Sequence, residues 1–105
     1  FKLEETLICL LHRGPSGLIQ PEAQDAYRES CLHTVISMLQ NDYGILIMRR
    51  QEPKRNKYRK PFTRYSLTDG KAELLAVCLL NNLRFKRCMA PIVVGDYSTL
   101  INQAA

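Results

Sequence analysis

Apolar residues near the start of the chain recur at helical spacing: Leu3, Leu7, Ile8, Leu10 and Leu11 make one stripe. The run "RGPSG" at 13–17 ends that pattern with two glycines and a proline, so a first helix followed by a turn is predicted. Leu18 and Ile19 then read as a short extended piece. Pro21 suits the first turn of a second helix, with Glu22 favouring its dipole, and this helix is expected to run to Tyr27 or Arg28.

After a tight break near Glu29, Ser30 is the expected N-cap of a third helix. Its inner face is Leu32, Val35, Ile36 and Leu39, and Gly44 suits the left-handed position that closes it. "ILIMRR" from Ile45 and "PFTRYSL" from Pro61 read as two strands of a hairpin, the second alternating Phe62, Arg64 and Ser66 against Thr63, Tyr65 and Leu67. A fourth helix is predicted over "TDGKAELLAVCLLNNLRFKRC", capped by Thr68 or Asp69, with Arg84, Lys86 and Arg87 opposing the dipole at its C-terminal end. Beyond it, a short strand at Ile92 to Val94 and a helical turn from Asp96 to Asn102 are the expectation. The fold class is therefore α+β.

Charge changes this picture at one place. Eight of the fifteen Lys and Arg residues fall between Arg49 and Arg64, against one acid, Glu52. The remainder of the chain carries seven basic and nine acidic residues, so the formal net charge of +5 is the property of one patch. Placed between two strands, that patch is the exposed tip of the hairpin. One or two charges would protect a sheet edge from pairing with another chain, but this density repels itself and points to an anionic partner.

The third helix offers matching chemistry. With the apolar face turned inward, Thr34, Ser37 and Asn41 lie opposite, and Ser30 and His33 lie at the flank. None of the five is acidic. Short polar side chains allow close approach in a DNA major groove, where Asn can pair bidentately with adenine and Ser or Thr can bond either donors or acceptors.

The order helix, turn, helix, tight turn, helix, strand, basic tip, strand, helix, together with these residues, resembles the winged helix-turn-helix domain. "GLIQPEAQDAYRESCLHTVISMLQNDYGILI" followed by "RYSL" is similar to small helix-turn-helix proteins of bacteriophages and prophages, the pattern being filled by Leu32, Ile36, Leu39, Gly44, Tyr65 and Leu67. "YSLTDGKAELL" resembles the junction of wing and final helix in bacterial winged-helix repressors. The resemblance covers residues 3 to about 87 and implies a winged helix-turn-helix domain over residues 1–88; residues 89–105, expected to be a tail that packs or dimerises, lie outside it.

It also implies sequence-specific binding of double-stranded DNA, in a transcriptional regulator or an accessory factor of phage or mobile-element type. The third helix would read bases through Ser30, His33, Thr34, Ser37 and Asn41. The wing would hold phosphates and reach the minor groove through Arg49, Arg50, Lys54, Arg55, Lys57, Tyr58, Arg59, Lys60 and Arg64. The alternative is an interaction module that docks on an acidic partner in a replication or recombination assembly. An RNA binder that stacks bases on Tyr58 is a third class.

The rest of the sequence narrows the field. The acids Glu4, Glu5, Glu22, Asp25 and Glu29 are expected on outer helix faces, and there is no glycine-rich phosphate loop or nucleophile elbow, so no enzyme and no cofactor is expected. Four cysteines without a CxxC pair, three of them in apolar runs, suggest reduced core thiols and a cytoplasmic location, on the nucleoid if the source is bacterial. Cys9, His12, Cys31 and His33 could be assembled into a zinc site only with an unusual Cys31-x-His33 spacing, so no metal is expected. The longest apolar run, Leu74 to Leu80, is too short for a membrane span, and no membrane partner is expected. That run is apolar all round, and its second face needs covering either by Ile92 to Val94, Leu100 and Ile101 or by a second copy in a homodimer.

Overall fold

The computed structural model describes residues 2–29, 31–55 and 61–95. Four helices and one two-stranded antiparallel sheet follow in the order α1 (Lys2–Arg13), a 3-10 turn (Gly14–Ser16), α2 (Gln20–Tyr27), α3 (Leu32–Tyr43), β1 (Ile47–Arg55), β2 (Pro61–Leu67) and α4 (Gly70–Lys86). Among the described residues no helix is long and apolar enough to cross a membrane.

Helix α1 is the hub. Leu3, Leu7, Ile8, Leu10 and Leu11 are buried, as their spacing predicts, and pack with Leu32, Ile36 and Leu39 of α3 and with Ala72, Ala76, Val77 and Leu80 of α4 in one cluster. Small residues on the inner face of α4 suit a close approach to α1. Two polar groups join α1 to α2 beside this core. The Thr6 hydroxyl donates to the Lys2 carbonyl at 2.9 Å and lies 2.7 Å from the Tyr27 hydroxyl. Burial also pushes the Tyr27 phenol well above its ordinary range, so it stays neutral.

Two acids expected on outer faces are instead buried. Glu4 is 4% exposed and accepts from Arg87 at 3.0 Å, which fastens the start of α1 to the end of α4. Glu29 is 6% exposed, and its carboxylate accepts the backbone N–H of Cys31 at 3.0 Å. Periodicity misplaces both because each satisfies a nearby donor rather than water.

The turn between α2 and α3 is held by side chains from both ends. Gln20 donates through Nε2 to the Glu29 carbonyl and accepts the Leu32 N–H through Oε1 at 2.6 Å. Arg28 takes a left-handed conformation, φ 59°, to close α2. The N-cap of α3 is Cys31, one residue beyond the expected Ser30, and Cys31 makes no side-chain capping bond. Gln20 and Glu29 do that work instead. Ser30 lies outside the described residues.

Gly44, φ 68°, ends α3 as expected, and the chain enters β1 at Ile47 rather than Ile45 because Ile45 is spent on the helix end, donating to the Leu39 carbonyl at 3.1 Å. The register pairs Ile47 with Leu67, Arg49 with Tyr65 and Arg50 with Arg64, and an irregularity follows between Gln51 and Arg55. Pro53 falls within it, where a missing ladder donor is tolerated. The strands therefore run further than their apolar residues suggest, bringing Lys54 and Arg55 into β1.

Gly17 seats the hairpin on the helices. Leu18 donates to the Tyr65 carbonyl at 2.7 Å and accepts from the Tyr65 N–H at 2.9 Å, a single bridge that adds a short third rung beside β2. A Cβ on Gly17, whose φ is 67°, would meet the Tyr65 oxygen at 2.6 Å, so only glycine permits this approach.

Asp69 caps α4, its carboxylate accepting the Ala72 N–H at 2.9 Å. After α4 the chain turns back: Asn81 accepts the Ile92 N–H at 2.8 Å and donates to its carbonyl at 3.3 Å, and Arg84 donates to the Ala90 carbonyl at 2.8 Å. This stretch satisfies its backbone on side chains, and Ile92 to Val94 is not a strand. The turn expected from Asp96 to Asn102 lies outside the described residues.

Candidate nucleic-acid interface

The polar face of α3 is exposed. His33, Thr34, Ser37 and Asn41 all reach solvent, joined by Met38 and Asp42, while Leu32, Ile36 and Leu39 anchor the opposite side. Among the described residues Ser37 and Asn41 have no side-chain partner, so their hydroxyl, carbonyl and amide groups are available to a ligand. At the N-terminal end, Cys31 Sγ lies 2.9 Å from Thr34 Oγ1 and 3.5 Å from His33 Nδ1, which draws these three side chains into one polar edge.

The hairpin is fixed beside that face by Arg49. Its guanidinium donates to Gln40 Oε1 on α3 at 2.8 Å and stands 5.7 Å from the centre of the Tyr65 ring. Gln40 occupies the same flank of α3 as His33 and Ser37, so the root of β1 runs along the edge of the polar face. Sequence reasoning overlooked Gln40. Its spacing from His33 and Ser37 is the one signal that could have included it.

Arg50 and Arg64 project to the other side of the hairpin. Arg50 donates to the Pro15 carbonyl at 3.1 Å and remains exposed. Arg64 is the most enclosed of the described basic residues of the hairpin. It donates to Glu52, to Glu22 at 3.2 Å and to the Ser16 carbonyl at 2.8 Å, with 16% of its side chain exposed. Arg13 completes the chain of charges by donating to Glu22 at 2.7 Å.

Arg64 thus links β2 to β1, to α2 and to the turn after α1, and its charge is balanced inside the protein. The hydrogen bond from Arg64 holds the Glu52 carboxyl below its ordinary range, and Glu52 in return raises Arg64. Sequence reasoning placed Arg64 in the basic patch by count alone, and its alternation with acids from two other elements is not readable from spacing.

Lys54 and Arg55 carry their backbones in β1, and nothing is assigned to their side chains. Lys57, Tyr58, Arg59 and Lys60 lie outside the described residues, as does Ser30. Of the residues assembled in the sequence as zinc ligands, Cys31 and His33 are neighbours. None of the four cysteines is the core thiol that the apolar runs suggested: Cys9 and Cys31 are partly buried, Cys78 and Cys88 are exposed on the outer side and end of α4, and burial pushes the Cys9 thiol up. Among the described residues no group of three His, Cys, Asp or Glu side chains is placed to hold a metal.

The chain matches no protein-family model, and searches of curated proteins and of solved structures return no match. The arrangement comprises a helix with an exposed polar face, a basic hairpin pinned along its flank, and a side-chain clamp that fixes the preceding turn.

Proposed function

We propose that the chain is a winged helix-turn-helix module that binds double-stranded DNA with sequence preference, α3 entering the major groove and the β1–β2 hairpin acting as the wing. The observation that carries this reading is the bond from Arg49 to Gln40, which holds the root of a highly basic hairpin against the flank of an exposed polar helix. A phosphate backbone beside the groove occupied by α3 would then run along the cations.

In this reading Thr34, Ser37 and Asn41 contact base edges, and His33 contacts a base or phosphate at the N-terminal end of α3. Arg49 and Arg50 serve phosphates close to the helix, and Lys54, Arg55, Lys57, Arg59 and Lys60 serve those further out, with Tyr58 among them. Arg64 acts by positioning the wing. A protein with these properties would serve as a transcriptional regulator or as an accessory factor of a DNA transaction.

Two sets of variants test the assignment on a duplex selected from random sequence. Replacing Thr34, Ser37 and Asn41 with Ala should flatten discrimination between selected and scrambled duplexes, each lost base contact costing about 1–3 kcal/mol. Replacing Lys54, Arg55, Lys57, Arg59 and Lys60 with Gln should weaken both duplexes alike. No duplex selected above background, together with retention on an acidic protein surface, would replace this reading with that of an interaction module.

A further inference from the structure

A cleft of about 340 Å³, which the DNA reading does not require, opens where the end of α1, the Gly14–Ser16 turn, the root of the hairpin and the start of α4 meet. Met48 and Ser66 are cross-strand partners, so their side chains stand on one face of the hairpin together with those of Arg50 and Arg64. That face is turned to the Gly14–Ser16 turn, because Arg50 donates to the Pro15 carbonyl and Arg64 to the Ser16 carbonyl. Ser66 is therefore aimed into the cleft. It is 3% exposed, and among the described residues its hydroxyl has no hydrogen-bond partner. A buried hydroxyl left unpaired is costly, so its place here calls for an acceptor from outside the chain.

Two charges of opposite sign reach the same cleft without meeting. Arg50 lines it from β1 and Glu73 from the first turn of α4, and among the described residues no ion pair joins them or engages Glu73. The neighbouring acids are committed: Asp69 caps α4 through the Ala72 N–H, and Glu52, which also feels the Arg50 charge, is bonded to Arg64. A lone anion on Arg50 would face Glu73, and a lone cation on Glu73 would face Arg50, so the pair selects a molecule that carries both signs. The remaining wall is largely apolar, with Leu11, Pro15, Leu67 and Met48, the last exposed and flexible enough to lie over a bound side chain. The volume is at the small end of the range for ligand sites, which limits the occupant to a small molecule.

We propose that this cleft binds a free α-amino acid with an apolar side chain, its carboxylate on Arg50 and the Ser66 hydroxyl, its ammonium on Glu73, and its side chain against Leu11, Met48 and Leu67. Ser66 sits diagonally across the strands from Arg50, so both can donate to one carboxylate. The proposal stands independently of DNA binding.

Heteronuclear NMR titrations of the isotope-labelled full chain with L-leucine, L-methionine and L-phenylalanine test it. At least one of the three should give saturable shifts at the backbone amides of Ser66, Leu67, Gly70 and Glu73, with a Kd of about 1 mM or tighter. The N-acetyl and amide derivatives of that amino acid each lack one charge and should bind about tenfold more weakly or worse. Arg50→Gln should abolish the preference over the amide, and Glu73→Gln the preference over the N-acetyl form. Ser66→Ala should weaken the parent amino acid by about threefold or more, while keeping the fold, because the hydroxyl it removes has no partner in the free protein. Thermal unfolding of all three variants checks the fold. No saturable shift with any of the three amino acids, shifts confined to residues away from the cleft, or binding that neither the derivatives nor the variants alter would overturn the proposal.

Discussion

Arg49 of β1 donates to Gln40 of α3 at 2.8 Å while standing over the ring of Tyr65 on β2, so one guanidinium ties both strands of the hairpin to one helix. The bond is exposed, and its effect on stability is accordingly small. If the hairpin is the DNA-binding wing proposed above, the effect on recognition should be larger, because a hairpin free to swing would lose phosphate contacts that a fixed one makes at no further ordering cost.

Gln40→Ala isolates that effect. The substitution keeps every cation, so the salt dependence of DNA binding should persist while affinity falls by about threefold to tenfold. Stability should change by about 0.5 kcal/mol or less, the usual size for an exposed position. Anisotropy titrations paired with urea melts separate the two.

Glu22→Gln tests whether the Arg13–Glu22–Arg64 chain is structural. Arg64 has little water to turn to, and both arginines lose a charged acceptor. A loss of about 1 kcal/mol in urea unfolding is expected, at the upper end for partly exposed pairs. An unchanged midpoint would show that Glu52 and the backbone carbonyls of Ser16 and Gly17 hold Arg64 without Glu22.

The Glu52 carboxyl is held below its ordinary value of 4.5 by the hydrogen bond from Arg64. A depressed folded pKa means that folding favours the ionised form, so this contribution is full above that ordinary value and disappears as pH falls through the lowered folded value. Wild type should therefore exceed Glu52→Gln in stability at neutral pH, and the gap should close on acidification. Denaturant melts of the two proteins along a pH series measure it. A gap constant down to the most acid point would contradict the assignment.

Gly17→Ala should be among the most damaging small substitutions. The new methyl group would meet the Tyr65 carbonyl at 2.6 Å from a positive φ, so either the Leu18–Tyr65 bridge opens or the backbone strains. A loss of about 2 kcal/mol or more in thermal or urea unfolding is expected.

Much of this architecture is legible in the sequence because local chemistry and global packing agree. The apolar stripe of α1, the inner face of α3, Gly44 and the Asp69 cap all sit where spacing and capping chemistry put them. What escapes is what depends on partners distant in the chain. Glu4 is buried because Arg87 reaches it from the far end of α4, and Arg64 is internal because Glu22 and the 13–17 turn converge on it. Cys31 can stand at the N-cap of α3 because Gln20, twelve residues before Leu32, accepts the Leu32 N–H and so supplies the acceptor that Ser30 was expected to provide. The polar face of α3 and the basic count of the hairpin are visible without the structure. Their adjacency, through Gln40, is not.

Whether the hairpin's cations neutralise DNA phosphates, as proposed, is tested by a fluorescence-anisotropy titration of a mixed-sequence duplex at several salt concentrations. Each neutralised phosphate contributes a slope of about −0.9 to log affinity against log salt, so a wing that engages several should give about −4 or steeper. The slope should flatten when Lys54, Arg55, Lys57, Arg59 and Lys60 are replaced with Gln. No binding at low salt, or a steep slope that survives those replacements, would show that the hairpin does not hold DNA phosphates.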